Sequence, residues 1–489
     1  MPTSSDAPFA PTTTLVHDLD RLASDVMSDW KVPGAALAVV QDDRVVLTRA
    51  WGQRDVEANL PVTPATQFAI CSITKSFTAT ALALLHHDGR LDWSKPAGDY
   101  MPDFRLSDPL ASERATVLDL LSHRTGLPRH DWVHEPADRR PAEILAVMRH
   151  LELSRDFRAE FQYNNLCYNV AGLLIERLSA QSYEAFMRTR LTDRLGMKVG
   201  FNLEELEASD EPARPYMMHG DTRVKALRLP ISTPASGAMT TSISDFANWM
   251  RLHLGKGQLD GERILPTQLI EELHAPRVYI PPQSPYPEFE GGHYGLGFQS
   301  LRYRGDRMVW HGGGWPGWNT QMTLLPDFSL GVAVFTNRSP NGVTEALTYF
   351  IIDRLRGREP VAWRERFRQQ REKAIAQIEI DRMAWEKGRR ANTRPAHDLA
   401  AYAGDYDHPA YGLMSVREKD GALHWSWRGL YTGMRHRHYE TFELPDVPER
   451  HVPDRLPITF QTDREGNIVS LSTPLEPAIK DIAFVRLKT

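Results

Sequence analysis

The stretch Phe68-Ala69-Ile70-Cys71-Ser72-Ile73-Thr74-Lys75-Ser76-Phe77 decides how the chain is read, because it sets Ser72 and Lys75 three residues apart. The residues that follow, Thr78 to Leu85, are apolar nearly all round, the pattern of a helix buried inside a domain. Side chains at i and i+3 share a helix face, so the Lys75 amine can reach the Ser72 hydroxyl. A serine hydroxyl is a poor nucleophile at neutral pH and needs a base beside it. A lysine in apolar surroundings loses its proton readily enough to be that base. Near the helix N-terminus, Ser72 would also have free N–H groups beside it for a developing oxyanion. S-x-x-K by itself occurs by chance on surface helices. The apolar helix, in which an idle buried lysine would be costly, and two motifs further along give it weight.

The chain has 489 residues, more than one ordinary core organises, so two or more domains are expected. Hydrophobic residues make up 41% and charged residues 25%, the balance of a globular protein rather than a disordered one. A net charge of −5 gives no reason to expect nucleic acid or an anionic membrane as partner. The two cysteines, Cys71 and Cys167, imply no disulfide framework, and no run of apolar residues is long enough to span a bilayer. The first residues, Met1 to Pro11, show neither a basic n-region nor an apolar h-region. A cytoplasmic location is the reading that follows; a chain from which a leader had been removed would be periplasmic or secreted.

A helix is expected from about Thr14 to Trp30, then a hairpin with strands Gly34–Val40 and Arg44–Trp51. The Ser72 helix should end near His87–Arg90, with Gly89 as its C-cap. Further helical stretches run from Thr116 to His123, from Tyr163-Asn164-Asn165 through Leu178, from Ser244 to Leu254 and from Pro266 to His274. The proline-rich Tyr279–Pro287 excludes regular structure and reads as a surface loop, with a lid as the alternative. Strands are expected at Tyr294–Arg302, Asn319–Leu325 and Leu330–Asn337. Strands at both ends with helices between them predict one antiparallel sheet with helices packed against it. Residues 360–394 form a charged, helix-prone segment, read as a solvated linking helix rather than a polyanion-binding arm. After Pro395 short alternating strands take over: Leu423, Trp425 and Trp427 alternate with His424, Ser426 and Arg428, and Asp420-Gly421 and Glu465-Gly466 mark turns. That texture is of a small β-barrel or sandwich. The division is a polar tail at 1–13, a catalytic domain at 14–358, a linking helix at 359–394 and a barrel at 395–489.

Two further motifs bear chemistry. Tyr163-Asn164-Asn165 offers a phenol and a carboxamide at a helix start. A phenol whose pKa is lowered by a nearby ammonium can act as general base and return the proton to the leaving group. Asn165 is placed to hold the Lys75 amine and a substrate carbonyl, against the blander role of capping a helix. In Trp310-His311-Gly312-Gly313-Gly314-Trp315-Pro316-Gly317, consecutive glycines at a strand admit another backbone, as of a bound substrate. The Gly314 N–H is then a second oxyanion donor, and His311 can polarise or orient substrate or Tyr163.

In the order S-x-x-K, Y-x-N, H-x-G, the chain resembles the serine β-lactamase and penicillin-binding protein superfamily. Within it, the chain looks most like the class C β-lactamase-like group of D-aminopeptidases, DD-peptidases and esterases, peptidase family S12. Leu120–Pro128, Leu195-Gly196-Met197 and Ala235–Asp245 match between the motifs, and the likeness runs from about Leu15 to Ile352. The part after Pro395 is similar to a lipocalin-like barrel appended to some of these hydrolases. The resemblance implies an α+β fold, a β-lactamase/transpeptidase-like antiparallel sheet flanked by helices with a helical subdomain, followed by the small barrel. It implies Ser72 as acyl-forming nucleophile, Lys75 and Tyr163 as a coupled proton-transferring pair, Asn165, His311 and Gly313 as the rest of the motifs, and the Ser72 and Gly314 amides as oxyanion hole. His311 stands where classical β-lactamases have the lysine of K-T-G, which argues against an efficient β-lactamase.

No H-E-x-x-H, P-loop or G-x-S-x-G occurs, and neither metal nor cofactor is called for. His436-Arg437-His438 lacks a third ligand and reads as barrel surface; Cys71 and Cys167 read as small apolar packing rather than a redox switch. His130 and Trp132 are read as lining the pocket or as surface loop residues. The expected function is amide or ester hydrolysis through an acyl-enzyme on Ser72, with a small peptide or D-amino-acid amide as substrate. A carboxylesterase, a weak β-lactamase and a non-turning-over acyl sensor are the alternatives. The barrel is expected to cap the cleft and restrict it to small substrates. No nucleic-acid or membrane partner is expected, and a homo-oligomer is left open.

Overall fold

Gly34-Ala35-Ala36-Leu37-Ala38-Val39-Val40 carries no polar side chain, and a strand of that kind suits a sheet covered on both faces. The computed structural model describes residues 12–488 apart from 136–138, 221, 227–233, 283 and 446–454, and in it all seven residues are buried. The elements that matter for the site are α1 (Thr13–Asp29), β1 (Gly34–Gln41), β2 (Arg44–Asp55), α2 (Thr74–His87), α3 (Asn165–Ser179), α4 (Ile243–Leu254), β3 (Phe289–Tyr294), β4 (Gln299–Tyr303), β5 (Asp306–Trp315), β6 (Trp318–Leu325), β7 (Leu330–Thr336), α5 (Val343–Leu355) and α6 (Trp363–Lys387).

One nine-stranded antiparallel sheet runs β3-β4-β5-β6-β7-β1-β2, with two-residue pieces at 278–279 and 60–61 on its edges. The N-terminal hairpin therefore pairs with strands some 300 residues later, Ala38 opposite Ala333, as the strands–helices–strands order predicts. Period-two alternation splits its side chains: Ala36, Ala38 and Val40 enter the core shared with α2, α3 and α4, while Ala35, Leu37 and Val39 enter a second core with α1 and α5. The fold class is the β-lactamase/transpeptidase-like α+β arrangement. Beyond α6, strands from Gly404 to Arg486 make a second nine-stranded sheet. Its end strands, 430–433 and 435–438, are consecutive in the chain, so the sheet curls into a nearly closed barrel. Leu423, Trp425 and Trp427 fill its interior as their alternation predicts. Within α6, Arg368 pairs with Glu365 and Glu372 and Arg382 with Glu379, so much of its charge is matched along the helix.

One expected strand divides. Tyr294 to Arg302 is the end of β3 and the start of β4, separated by Gly295-Leu296-Gly297-Phe298. The break has a packing cause: Gly297 has φ +78°, and a Cβ on it would stand 2.6 Å from the Lys75 carbonyl oxygen and 2.8 Å from the Ser76 Cα. The Tyr279–Pro287 loop also keeps one residue in regular pairing, Tyr279 opposite His293. Gly297→Ala is expected to lower stability by about 1–3 kcal/mol in urea unfolding, since both the backbone angle and the neighbouring backbone resist the methyl group. Unchanged stability would mean that α2 can shift away from β4.

Candidate active site

Ser72 lies at the N-terminal end of the α2 helix, as expected, but in a tighter turn that precedes it. It sits in the 3₁₀ turn Cys71–Ile73, and α2 proper begins at Thr74. The turn opens with Cys71 in the left-handed region, φ +50°, which costs a non-glycine residue about 1–2 kcal/mol and is held by its surroundings. The Ile70 N–H donates to the Met239 carbonyl (2.9 Å), and the Ile70 carbonyl accepts from Thr320 Oγ1 on β6 (3.0 Å). The 3₁₀ turn runs straight into the helix, so the three-residue spacing still works. Lys75 Nζ is 3.1 Å from Ser72 Oγ.

Lys75 has no solvent exposure. Its amine donates to the Ser236 carbonyl at 2.6 Å and lies 5.0 Å from the centre of the Tyr163 ring and 5.4 Å from that of Tyr168. Burial, and then the Arg129 guanidinium, hold its pKa well below the ordinary lysine value. Tyr163 is hydrogen-bonded to Ser72, but its phenol is not lowered as expected. Burial pushes it above the usual tyrosine value against the opposing pulls of Ser72 and Arg129, so the phenol keeps its proton. His123, buried with φ +59°, packs its ring 4.5 Å from that of Tyr163 and accepts the Asn164 N–H at Nδ1 (3.1 Å).

Asn165 was expected at Lys75 and instead donates from Nδ2 to Asp131 Oδ1 (3.0 Å). Asp131 also takes Arg129 Nε on its other oxygen (2.5 Å) and His134 Nε2 on the first (3.2 Å). Burial would raise this carboxyl, yet His134 and Arg129 hold it well below its ordinary value. Arg129, His134, Glu135 and Asn165 line one side of a cavity of about 180 Å³, with Ser72, Ser236 and Gly314 around the rest. Asp131, His134 and Glu135 bring metal-ligand atoms within 4.8 Å of one another. Both Asp131 oxygens already accept from donors, so the trio is a hydrogen-bonded ion-pair network rather than an open cation cage. Glu135 has no such donors on it among the described residues, and burial, then Asp131, raises its pKa to about 7.

The glycine motif lies on β5 as expected, but its members divide the work differently. Gly313 is approached by the protein's own chain: a Cβ there would stand 2.3 Å from the Ile70 carbonyl oxygen and 2.3 Å from Thr320 Oγ1. Gly314 has open space on that side and borders the cavity. His311 faces neither Ser72 nor Tyr163 with a nitrogen. Its Nδ1–H donates to the Gly312 carbonyl (2.6 Å), which leaves Nε2 to accept from the Tyr294 hydroxyl (2.9 Å). Burial, then Lys75, lowers its pKa to about 3, so the ring is neutral. Cys71 and Cys167 are free and buried, and burial raises the Cys167 thiol to about 12, in keeping with apolar packing.

The model of the beta-lactamase family matches residues 19–356. The chain belongs to the beta-lactamase family. A second model, a domain of unknown function (DUF3471), matches residues 388–486. Among curated proteins, an unguisins hydrolase of Aspergillus campestris is 29% identical over 428 residues, covering 82% of this chain and 78% of its own. The octameric penicillin-binding protein homologue from Pyrococcus abyssi shares the fold, with TM-score 0.63 and 22% identity over 96% of this chain and 99% of its own. D-amino acid amidase from Ochrobactrum anthropi SV3 superposes with TM-score 0.57 and 25% identity over 69% of this chain and 98% of its own. Members of this family are hydrolases, which supports reading this chain as an enzyme.

In this family member the barrel reaches the site through the 129–135 segment. His130, left-handed at φ +45°, donates its N–H to Glu476 Oε2 (2.7 Å) and meets the Tyr411 hydroxyl at Nδ1 (2.7 Å). Arg428 donates to the carbonyls of Trp132 and Glu135, and Trp132 packs on Trp427 at 5.7 Å between ring centres. His130 and Trp132 thus mark an interface with the barrel; neither lines the cavity nor lies free on the surface. His436-Arg437-His438 is a barrel strand in which Arg437 pairs with Glu443, and His436 Nε2 meets the Tyr439 carbonyl. Sequence reasoning passed over Ser236, although Ala235–Asp245 was singled out, because a backbone acceptor leaves no side-chain signature. It also passed over Asp131, His134 and Glu135, whose partners come from α3 and the barrel. Glu476→Ala is expected to loosen this segment and raise the ratio of rates on bulky over small acyl substrates about tenfold, the scale of one charge-assisted hydrogen bond. An unchanged ratio in the folded variant would show that the barrel does not set the width of the cavity.

Proposed function

We propose that the protein is a serine hydrolase of the S12 type that cleaves an amide or ester through an acyl-enzyme on Ser72. The observation that carries this reading is the 3.1 Å approach of Lys75 Nζ to Ser72 Oγ in buried surroundings that hold the amine's pKa well below its ordinary value. The amine donates one proton to Ser236 and keeps a lone pair for the Ser72 proton. Ser72 Oγ then attacks the substrate carbonyl carbon, and the carbonyl oxygen takes the developing charge toward the Ser72 and Gly314 amides. Tyr163, whose phenol is protonated and touches Ser72, works with Lys75 as one proton-carrying unit that delivers a proton to the leaving group. Water, entering on the leaving-group side, hydrolyses the acyl-enzyme by the same path reversed.

The substrate we propose is small and carries a free amino group, an amino-acid amide or short peptide with a D-residue. A cavity of about 180 Å³ is narrow against the roughly 300 Å³ and more of ordinary ligand pockets, and the 129–135 segment on one side of it is held by the barrel, read as lipocalin-like. Glu135 is the cavity carboxyl left to pair with an ammonium. Similarity to a D-amino acid amidase supports amide cleavage, and similarity to an unguisins hydrolase supports hydrolysis. A carboxylesterase uses the same atoms and is the second reading. Efficient β-lactamase action is disfavoured: neutral His311 has both nitrogens engaged, and Arg129, the cation at the cavity, is paired with Asp131.

Two measurements test this. Purified protein and its Ser72→Ala variant, screened on p-nitrophenyl esters, L- and D-amino-acid p-nitroanilides and a chromogenic cephalosporin, should differ by at least about a thousandfold on the preferred substrate. Equal rates would remove Ser72 from the mechanism. For an amino-acid anilide, kcat/KM should rise with pH through about 7 as Glu135 ionises, and fall again as the substrate amine loses its proton near about pH 8. Glu135→Gln should lose the acid limb. The same limb on an N-acetylated substrate would sink the ammonium pairing.

A further inference from the structure

On the face of the large sheet opposite Ser72 lies a cavity of about 660 Å³ that shares no lining residue with the reactive one. Strand alternation separates the two: His311 turns to the α2 side, and its neighbour Trp310 turns to the other side, packing against the second core. Ile280, Phe289, Tyr349, Phe367, Ile375 and Ile378 give the cavity apolar walls. Ile375 and Ile378 are 54% and 61% exposed, which is unusual for isoleucines on a helix as charged as α6.

The polar atoms of this cavity are mostly donors. Trp310 Nε1 and Arg338 Nε are buried and have no hydrogen-bond partner among the described residues. Arg338, 5% exposed, donates Nη1 to the Pro340 carbonyl, and Arg371 donates to the Asp29 carbonyl and lies over the Trp30 ring at 5.2 Å. Among the described residues neither arginine forms a salt bridge. Burial and the neighbouring Arg371 lower the Arg338 pKa to about 10, a repulsion that a bound anion would relieve. Glu345 also borders the space, but Thr344 donates to its carboxylate (2.5 Å) and burial raises its pKa, so it offsets the two arginines only in part.

We propose that this cavity is a second binding site, for an amphipathic anion whose aliphatic or aryl body lies along the apolar wall and whose carboxylate meets Arg338 and the Trp310 N–H. Bidentate guanidinium pairing suits a carboxylate head, and the cavity volume falls within the usual range for ligand sites. The site stands independently of the Ser72 chemistry.

Calorimetric titration of the full chain with decanoate, below its micellar concentration, is the test. One saturable site per chain is expected, with decanamide, the same chain without the charge, about tenfold weaker or more. Trp310→Phe, Arg371→Met and Arg338→Met should each weaken decanoate about fivefold or more, whereas Ser72→Ala should bind as the parent does. Arg338→Met removes a buried group, so circular dichroism checks its fold; the other two variants decide if it unfolds. Absence of saturable binding, equal affinity for acid and amide, parental binding in Trp310→Phe and Arg371→Met, or loss in Ser72→Ala would each overturn the proposal. Sedimentation run alongside reads the rival occupant: a dimer that fails to bind decanoate would assign the face to a second copy of the chain.

Discussion

Everything around Ser72 depends on keeping one amine dry. An ammonium moved from water to a protein interior costs several kcal/mol even after relaxation, unless a carboxylate meets it there. Lys75 has no exposure and forms no ion pair among the described residues; its contacts are Ser72, the Ser236 carbonyl and two tyrosine rings. The cheapest state for such a group is neutral, and a neutral amine is the state that accepts a serine proton. The nearest strong cation, Arg129, reinforces this, while Asp131, the carboxylate that would reverse it, is occupied by Arg129, His134 and Asn165. The acidic network beside the site thus withholds its charge from the lysine.

The same economy explains the glycines. Bringing the 3₁₀ turn of Ser72 against β5 requires that Gly313 present no side chain to Ile70, and bringing β4 against α2 requires the same of Gly297 toward Lys75. These two close approaches fix Ser72 and Lys75 relative to a sheet whose strands come from both ends of the domain. Left-handed backbone at Cys71, His123 and His130 clusters around the same place. Strain of that kind persists where neighbouring structure over-determines it, and here the neighbours are β6, α3 and the barrel.

What could be read from the sequence was whatever is local. Ser72 and Lys75 are visible because a helix turn makes them neighbours, and β1 is visible because seven residues without a polar atom fit few places. The Leu423–Trp427 alternation announces a barrel strand for the same reason. What escaped depends on distant partners or on backbone atoms. Ser236 acts through a carbonyl. Asn165 answers to an aspartate 34 residues away. His311 was in view, but its orientation is set by Tyr294, which had been counted as the start of one long strand instead of the end of β3. The sequence predicts a lowered pKa for Tyr163 from the nearby lysine; burial of the phenol itself, which no local pattern announces, outweighs such pulls and raises it.

His311 shows how a substitution in a motif can change its role while keeping its place. A lysine there would bring a second amine close to Lys75, in a region where burial already disfavours charge. A neutral imidazole fills the position at no electrostatic cost and fastens β5 to the Tyr294 hydroxyl. The cavity then holds Arg129 as its cation, and Arg129 belongs to the 129–135 segment that the barrel clamps through His130, Trp132 and Glu135. The cation at the cavity thus sits on a loop that contacts the barrel, and not on the sheet. The groups lining that side of the cavity are accordingly placed by contacts between the two parts, whereas Ser72 and Lys75 are placed by the first part alone.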